Sequence, residues 1–430
     1  MLNRAIIEKL AAMFPSKVFI NKEELSKHSK NLFYISTAIA DAIFYAESEE
    51  DILQITDFCL QNEIPLIPYG SGTSVEGHFA AVHGGVCLNL SKMKKIIEFN
   101  PEDNYVIVEP GIAYNELNEY LQPHGFHFPV EAGWGASIGG MVATNASGAG
   151  ATDSGSMKQN VMACSFIGYK DDKALKVTTG SKSQKSSAGY NILGLLVGSE
   201  GTLGIITEIT LKIRKNFSYY STIVCQFETI QQAVNFVVQT KGLIPYRRIE
   251  FLDKLQTKAC KNYSSIDFIN EHKNTILIEL FGNEFSVSEE IRLVEKFLRA
   301  NLAENVKVFS SRDSSVDIWK MRKNACPAAI SLIDSTKKAM ATDTSVPLSK
   351  LSVCIEACYQ HMRELGLTVP LVAHIGDGNF HFTIIFNPEN EFELERAKKF
   401  NKLVVDEALR VGGTCTGEHG VGLGVTFKRR

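Results

Sequence analysis

The chain has 430 residues, with 45 Lys and Arg against 48 Asp and Glu, and a formal net charge of −3. That balance argues against a dedicated nucleic-acid binder, whose basic stripe shows in the net charge. Apolar residues at 44% and charged residues at 22% exclude a disordered chain, and the length favours two or three domains.

No stretch approaches the roughly 20 apolar residues of a membrane-spanning helix. Met1 to Phe19 carries neither an apolar h-region nor a small-residue cleavage site, so it does not read as a secretory signal. Nine cysteines lie scattered without paired spacing, which predicts a reducing compartment and thiols used for packing. Cys354 and Cys358 are four apart on an expected helix, and nothing nearby supplies the other ligands of an iron–sulfur cluster. The expectation is a cytoplasmic or mitochondrial-matrix protein, with peripheral membrane contact and a homodimer left open.

In chain order, residues 48–62 predict a helix: Ser48 caps it, Glu49, Glu50 and Asp51 suit its positive end, and Ile52, Ile55 and Cys59 share a face. The apolar run from Ile64 to Ile67 leads into the glycine-rich Pro68-Tyr-Gly-Ser-Gly-Thr-Ser-Val-Glu-Gly77. Val86–Leu90, Ile96–Phe99 and Tyr105–Glu109 read as strands, and Asn115–Gln122 as a helix stopped by Pro123 and Gly125. A second small-residue region spans Gly133 to Gly155, and a third, Gly198-Ser-Glu-Gly-Thr-Leu-Gly204, enters an alternating strand from Ile205 to Ile213. Beyond residue 216 alternating strands (Thr222–Phe227, Thr275–Phe281) mix with amphipathic helices (Ile230–Gln239, Glu289–Ala300), an α+β pattern. A domain boundary is placed near that residue.

Three glycine loops in one domain suggest backbone amides converging on something anionic or flat, although each alone could be a tight turn. The P-loop and G-x-G-x-x-G spacings are both absent, which counts against a nucleotide hydrolase and a Rossmann site. Pro68-Tyr-Gly-Ser-Gly-Thr-Ser74, Ser137-Ile-Gly-Gly-Met-Val-Ala-Thr-Asn-Ala-Ser-Gly148 and Gly198–Gly204 resemble the flavin-binding segments of the vanillyl-alcohol-oxidase-type FAD family. The nearest resemblance is to the cytochrome-linked D-lactate dehydrogenases and their glycolate and D-2-hydroxyglutarate relatives; it includes Arg248-Ile-Glu-Phe-Leu-Asp253.

That resemblance implies an α+β protein: a two-subdomain FAD-binding domain (1–216), an antiparallel-sheet cap domain (217–400) and a C-terminal segment (401–430) returning to the flavin site. It implies that Gly70, Ser71, Gly72, Thr73 and Ser74 cradle the FAD pyrophosphate. Gly133, Ser137, Ile138, Gly140 and Asn145 would line the flavin, and Glu200, Gly204 and Ile206 the nucleotide end. Members that bind flavin covalently carry a His where this chain has Thr73, so the FAD is expected to be non-covalent. The chain ends at Phe427-Lys-Arg-Arg430, sooner than the family pattern, so the C-terminus reads as truncated, and a non-catalytic FAD-binding remnant is the rival reading.

Three of the ten histidines stand out. In Val372-Ala-His374-Ile-Gly-Asp377-Gly378-Asn-Phe-His381, Asp-Gly signals a two-residue hairpin turn. Centred there, the turn pairs His374 with His381, two imidazoles on one face close enough to share a cation. Two half-buried hairpin histidines are the bland alternative. Glycines flank Glu418-His419, and in an extended stretch these neighbours point to opposite sides, one to a His-His-Glu metal site and the other to substrate. Three protein ligands with open positions suit a catalytic divalent ion, and the N/O set admits Zn, Mn or Fe. In the resembled family these motifs carry the metal (His374, His381, Glu418) and the base (His419), and the arginine of Trp319-Lys-Met-Arg322 grips the substrate carboxylate. The expected activity is oxidation of a small D-2-hydroxy acid, D-lactate first, with a cytochrome or quinone as electron acceptor.

Overall fold

The computed structural model describes residues 4–30, 38–133, 135–264 and 266–424, so the ending at Phe427–Arg430 lies outside the described residues. It divides into two units: one holds residues 4–148, 155–216 and 419–424, the other 149–154 and 217–418.

Among the described residues the first unit contains two larger sheets and a two-stranded pair, Phe126–His127 with Arg214–Lys215. In the smaller, Ala42–Tyr45 and Leu66–Tyr69 both run parallel to the fully buried Val86–Asn89 between them, with Val18–Phe19 at one edge. The crossover from Ala42–Tyr45 to Leu66–Tyr69 is the helix Glu49–Gln61, and its first turn is closed by the expected chemistry. Ser48 Oγ accepts from Asp51 N (3.2 Å), and the Asp51 carboxylate accepts from Ser48 N (3.2 Å). Ile52, Ile55 and Cys59 are buried, as the 3.6-residue spacing predicts. The larger sheet is antiparallel, in the order Ile96–Asn100, Tyr105–Val108, Ile205–Lys212, Val161–Lys170, Lys173–Gly180. The short helix Ile138–Thr144 buries Ile138, Met141 and Val142 in a core shared with Val106, Val108, Ile209 and Leu211.

The second unit is built on an eight-stranded sheet. Its main path runs Glu304–Phe309, Tyr219–Phe227, Asn274–Gly282, Tyr246–Leu252, Leu371–His374, Asn379–Phe386, Lys338–Ala341. Strand periodicity divides its side chains between two cores. On Tyr246–Leu252, Ile249 and Phe251 join the larger apolar cluster with the helices Ile230–Thr240, Leu351–Glu364 and Glu391–Arg410. Leu252 faces the other way, into a cluster with the helices Lys254–Tyr263, Arg312–Lys323 and Ala325–Ile333. Arg248 and Glu250 share its parity, which places them toward the helix that carries Trp319 and Arg322. Residues 401–410 continue the helix Glu391–Arg410, so a segment opening at 401 has no counterpart as a separate element. Among the described residues no cysteine is in a disulfide, and Cys354 and Cys358 are buried on one helix. Among the described residues no helix is long and apolar enough to cross a membrane.

Asp253 ends the Arg248–Asp253 segment as a helix cap. Its carboxylate accepts from Gln256 N (2.7 Å) and from Tyr359 Oη (2.7 Å). Burial pushes its pKa up from 3.8 to about 6 despite these bonds. With the folded-state value raised, both states hold the proton below about pH 4 and there is no penalty; above pH 6 the full penalty is present, on the order of 3 kcal/mol. Asp253→Asn should therefore gain stability over the parent as pH rises from 4 to 7, read from denaturant midpoints of both chains across that range.

Candidate active site

In the first unit the three glycine loops converge through named contacts. The loop Gly70–Ser74 leaves the carboxyl end of a parallel strand, the end at which open α/β sheets bind ligands. Ser71 Oγ accepts from Ser137 N (3.0 Å), Glu200 N donates to Ala143 O (2.8 Å), and Gly198 N to Val142 O (2.9 Å). A Cβ on Gly70 would stand 2.1 Å from Ser137 Oγ, and one on Gly201 would stand 3.2 Å from Pro68 Cγ. Gly72 has φ +70°, and a Cβ there would meet Tyr69 Oη at 2.0 Å. Ser137 Oγ is buried with no hydrogen-bond partner among the described residues. A glycine cradle with an orphaned hydroxyl fits a group held by backbone amides and hydroxyls, such as a pyrophosphate.

Other expected flavin residues have visible structural work. Asn145 ends its helix in the left-handed region (φ 51°), and its Oδ1 accepts from Ser156 Oγ (2.9 Å) and Lys158 N (3.0 Å). Gly140 lies one turn into that helix, where an added Cβ would be 3.0 Å from Ser137 Oγ. Ile206 is buried in the apolar core opposite Phe166, and Gly204 (φ 150°) allows the strand to pass Ile167 O. A Cβ on Gly133 would meet nothing within 4 Å. Thr73 Oγ1 lies 3.4 Å from Ser71 Oγ.

Glu200 directs both carboxylate oxygens to residues 421 and 422: Oε1 accepts from Val421 N (2.6 Å) and Oε2 from Gly422 N (2.8 Å). Oε2 also lies 3.0 Å from His78 Nε2, and the His78 Nδ1 is hydrogen-bonded to Ser74 Oγ. Burial works to raise the Glu200 pKa, but His78 and the two amides outweigh it and hold it low. Glu76 O accepts from Leu423 N (2.8 Å) and Gly424 N (3.1 Å), and the Glu76 carboxylate stands 3.7 Å from His419 Nδ1. His78 is not among the three histidines that stand out in the sequence; its four-residue spacing from Ser74, inside a glycine loop, is the available signal.

In the second unit the hairpin register corrects the expectation. His374 pairs with Asn379 and Val372 with His381, so His374 and His381 are diagonal rather than directly opposed. The connection Ile375–Gly378 has four residues: Asp377 N and Gly378 N donate to His374 O, and Asp377 Oδ1 accepts from Asn379 N. Gly378 takes the left-handed conformation at its end (φ 86°). The two-residue displacement preserves which face each side chain occupies, and the imidazole centroids are 5.5 Å apart.

Glu418 reaches both rings, its Oε1 standing 3.2 Å from His374 Nε2 and 3.2 Å from His381 Nε2. Ligand atoms around a tetrahedral ion with bonds of about 2.0–2.1 Å stand about 3.3 Å apart. The donor set therefore fits a small divalent cation by spacing and by chemistry. Each donor is held from behind: His374 Nδ1 by Glu250 Oε1 (2.7 Å), and His381 Nδ1 by Thr342 O (3.0 Å). The segment bearing Glu418 is held by Asp343 Oδ2, which accepts from Thr416 Oγ1 (2.6 Å), Gly417 N (2.8 Å) and Glu418 N (2.9 Å). This segment bends at residues 417–419 instead of running straight as an extended stretch. Burial opposes charge on His374, but Glu250 and Glu418 raise its pKa well above the usual value. Burial likewise opposes charge on Glu418, and the two histidines hold it well below the carboxylate range.

Arg322 lies on the helix Arg312–Lys323 and pairs with Glu250 Oε2 through Nε (2.7 Å) and Nη2 (2.5 Å). Trp319, one turn earlier, donates from Nε1 to Thr222 Oγ1 and lies under the Arg248 guanidinium at 3.9 Å. Glu250, Thr342 and Asp343 were not singled out by sequence reading, because their bonds join residues 39 to 124 positions apart.

Residues 40–177 match the FAD binding domain family, and residues 218–426 match the C-terminal domain of the FAD linked oxidases. The chain is 37% identical over 424 residues to the mitochondrial D-lactate dehydrogenase [cytochrome] of Arabidopsis thaliana, covering 98% of this chain and 74% of that protein. It is 27% identical to the glycolate oxidase subunit GlcD of Bacillus subtilis, over 90% of this chain and 81% of that one. The solved structure of p-cresol methylhydroxylase with substrate bound superposes with a TM-score of 0.76 at 16% identity, covering 97% and 89% of the two chains, and shows the same fold. The glycine loops and the histidine cluster thus stand in a chain that belongs to the FAD-linked oxidase family of the cytochrome D-lactate dehydrogenases.

Proposed function

We propose that this chain is an FAD-dependent dehydrogenase that oxidises a small D-2-hydroxy acid, D-lactate to pyruvate, and delivers the electrons to a cytochrome. The observation that carries the substrate class is Glu250, which joins Arg322 to His374. A 2-hydroxy acid bears a carboxylate and a hydroxyl on adjacent carbons. The second unit offers a guanidinium for the first and a two-histidine, one-glutamate donor set beside it for the second. The 37% identity to a D-lactate dehydrogenase, against 27% to a glycolate oxidase subunit, favours D-lactate. The words cytochrome and mitochondrial in the first relative's name support that acceptor and, in a eukaryotic cell, a mitochondrial location.

When bound, FAD supplies a two-electron acceptor, and a divalent ion on His374, His381 and Glu418 supplies Lewis acidity. The chain's residues do the rest. Arg322 keeps N–H groups beyond those given to Glu250, and its planar fork suits the substrate carboxylate. Glu250 neutralises that guanidinium from behind and so orients it. His419 takes the proton of the 2-hydroxyl as general base. Gly70 to Ser74 and Ser137 hold the cofactor's pyrophosphate, and Thr73, which offers no imidazole for a covalent bond, leaves it non-covalently bound.

Adding D-lactate anaerobically to the purified chain should bleach its flavin absorbance. Bleaching by glycolate or D-2-hydroxyglutarate instead would reassign the substrate, and a flavin bleached by none of these acids would mark a non-catalytic remnant.

Three sets of variants divide the roles. Gly72→Val should purify folded but without FAD, since a branched side chain at φ +70° collides with Tyr69 and fills the cradle; a full flavin complement would refute the loop assignment. His374→Ala and His381→Ala should each lose the metal while keeping FAD, and elemental analysis showing one metal per chain in either would remove the shared site. His419→Ala should keep both cofactors yet lose kcat by roughly 10²–10⁴-fold, the usual share of a positioned base. Glu418→Ala should lose metal first and recover in part with excess divalent ion; the reverse pattern in this pair would exchange their roles.

A further inference from the structure

Glu250 is completely buried and divides its two oxygens between two residues of the site. Oε1 lies 2.7 Å from His374 Nδ1, and Oε2 receives Arg322 through Nε at 2.7 Å and Nη2 at 2.5 Å. We propose that Glu250 is a positioning residue that fixes His374 with its proton on Nδ1 and its lone pair on Nε2, and that the same carboxylate aligns Arg322. Cation affinity and substrate affinity are then linked through one side chain. This inference rests on the reading of His374, His381 and Glu418 as metal ligands.

The argument lies in the count of donors. A guanidinium offers only N–H groups and does not lose its proton. An imidazole that ligates through Nε2 must carry its proton on Nδ1. Both partners of Glu250 are therefore donors, and among side chains of this length only a carboxylate accepts on both sides. Glu250 meets two N–H groups of Arg322 and the Nδ1 of His374 in fixed geometry. In Glu250→Gln the amide oxygen must stay with Arg322, which cannot accept. The amide NH2 then faces Nδ1, which can receive it only as a lone pair, so the ring proton moves to Nε2 and the ligating lone pair is lost. Partners of this kind behind a ligating histidine are worth about 10–100-fold in metal affinity.

The test uses the full chain with FAD, stripped of metal and titrated with zinc against a coloured chelator. Wild type should bind one zinc. Glu250→Gln should bind it about 10–100-fold more weakly, with flavin content unchanged and a raised KM for D-lactate. Glu250→Asp keeps two acceptor oxygens and should retain more zinc affinity than Glu250→Gln. A purely structural role predicts the opposite order, because Gln preserves the volume and Asp leaves a cavity. Zinc affinity in Glu250→Gln equal to wild type, or lower in Glu250→Asp than in Glu250→Gln, overturns the assignment while the metal reading stands. Absence of zinc binding by wild type overturns both. A second measurement needs no folded Glu250 variant: imidazole-15N spectra of the zinc-loaded wild type, assigned by comparison with His374→Ala. They should show His374 ligated through Nε2 and protonated on Nδ1, and ligation through Nδ1 refutes the proposal.

Discussion

A carboxylate taken out of water costs several kcal/mol unless cations or donors meet it in fixed geometry. The second unit buries four of them, Glu250, Asp253, Glu279 and Asp343, and its sheet is organised around their pairing. Glu279 takes Arg247 and Arg248 from the neighbouring strand, Glu250 takes Arg322 and His374, and Asp343 takes two amides and a hydroxyl. Each pairing joins strands or helices distant in sequence, so the charged groups order the polar face of the sheet while Ile249, Phe251, Ile276 and Ile278 fill the other. Removing one partner would leave a buried charge uncompensated, which is why such a network tolerates little substitution.

The first unit solves a different problem, bringing backbone close to a large anionic ligand. Its means are steric: glycine at 70, 72 and 201 where any Cβ would strike Ser137, Tyr69 or Pro68. The hydroxyls of Ser71, Ser74 and Ser137 lie among those glycines, and the amides of 421–424 close on Glu76 and Glu200. Glu200 shows how one motif residue serves local architecture: expected at the nucleotide end, it ties down the residues that follow His419.

Local signals were legible in the sequence and tertiary ones were not. The Ser48 cap and the strand Ile205–Lys212 follow from nearest-neighbour chemistry and stand where the sequence places them, although that strand is buried almost throughout instead of alternating. The Asp377-Gly378 turn was read as a two-residue connection, but Gly378 passes against Val346 O and Gly376 against Thr152 and Ile249, contacts no dipeptide preference reveals. The pairing slid by two residues. Because strand faces alternate with period two, the error left both histidines on one face and the inferred donor set intact. A slip by one would have destroyed it. Glu250 lay inside a quoted motif without a role, since its partners stand 72 and 124 residues away.

The order in which a ribosome releases the chain gives one earlier feature a further meaning. The sheets of the first unit are complete once residue 216 has emerged, yet the amides that reach Glu200 belong to Val421 and Gly422, 221 and 222 positions later. Throughout synthesis of the intervening unit, the carboxylate of Glu200 and the carbonyl of Glu76 must be satisfied by His78 and water. The closing contacts are among the most non-local in the molecule, and non-local contacts form late because a long loop must be closed first. The first unit is thus the first to be made and the later to be finished, these hydrogen bonds waiting until the second unit has been translated.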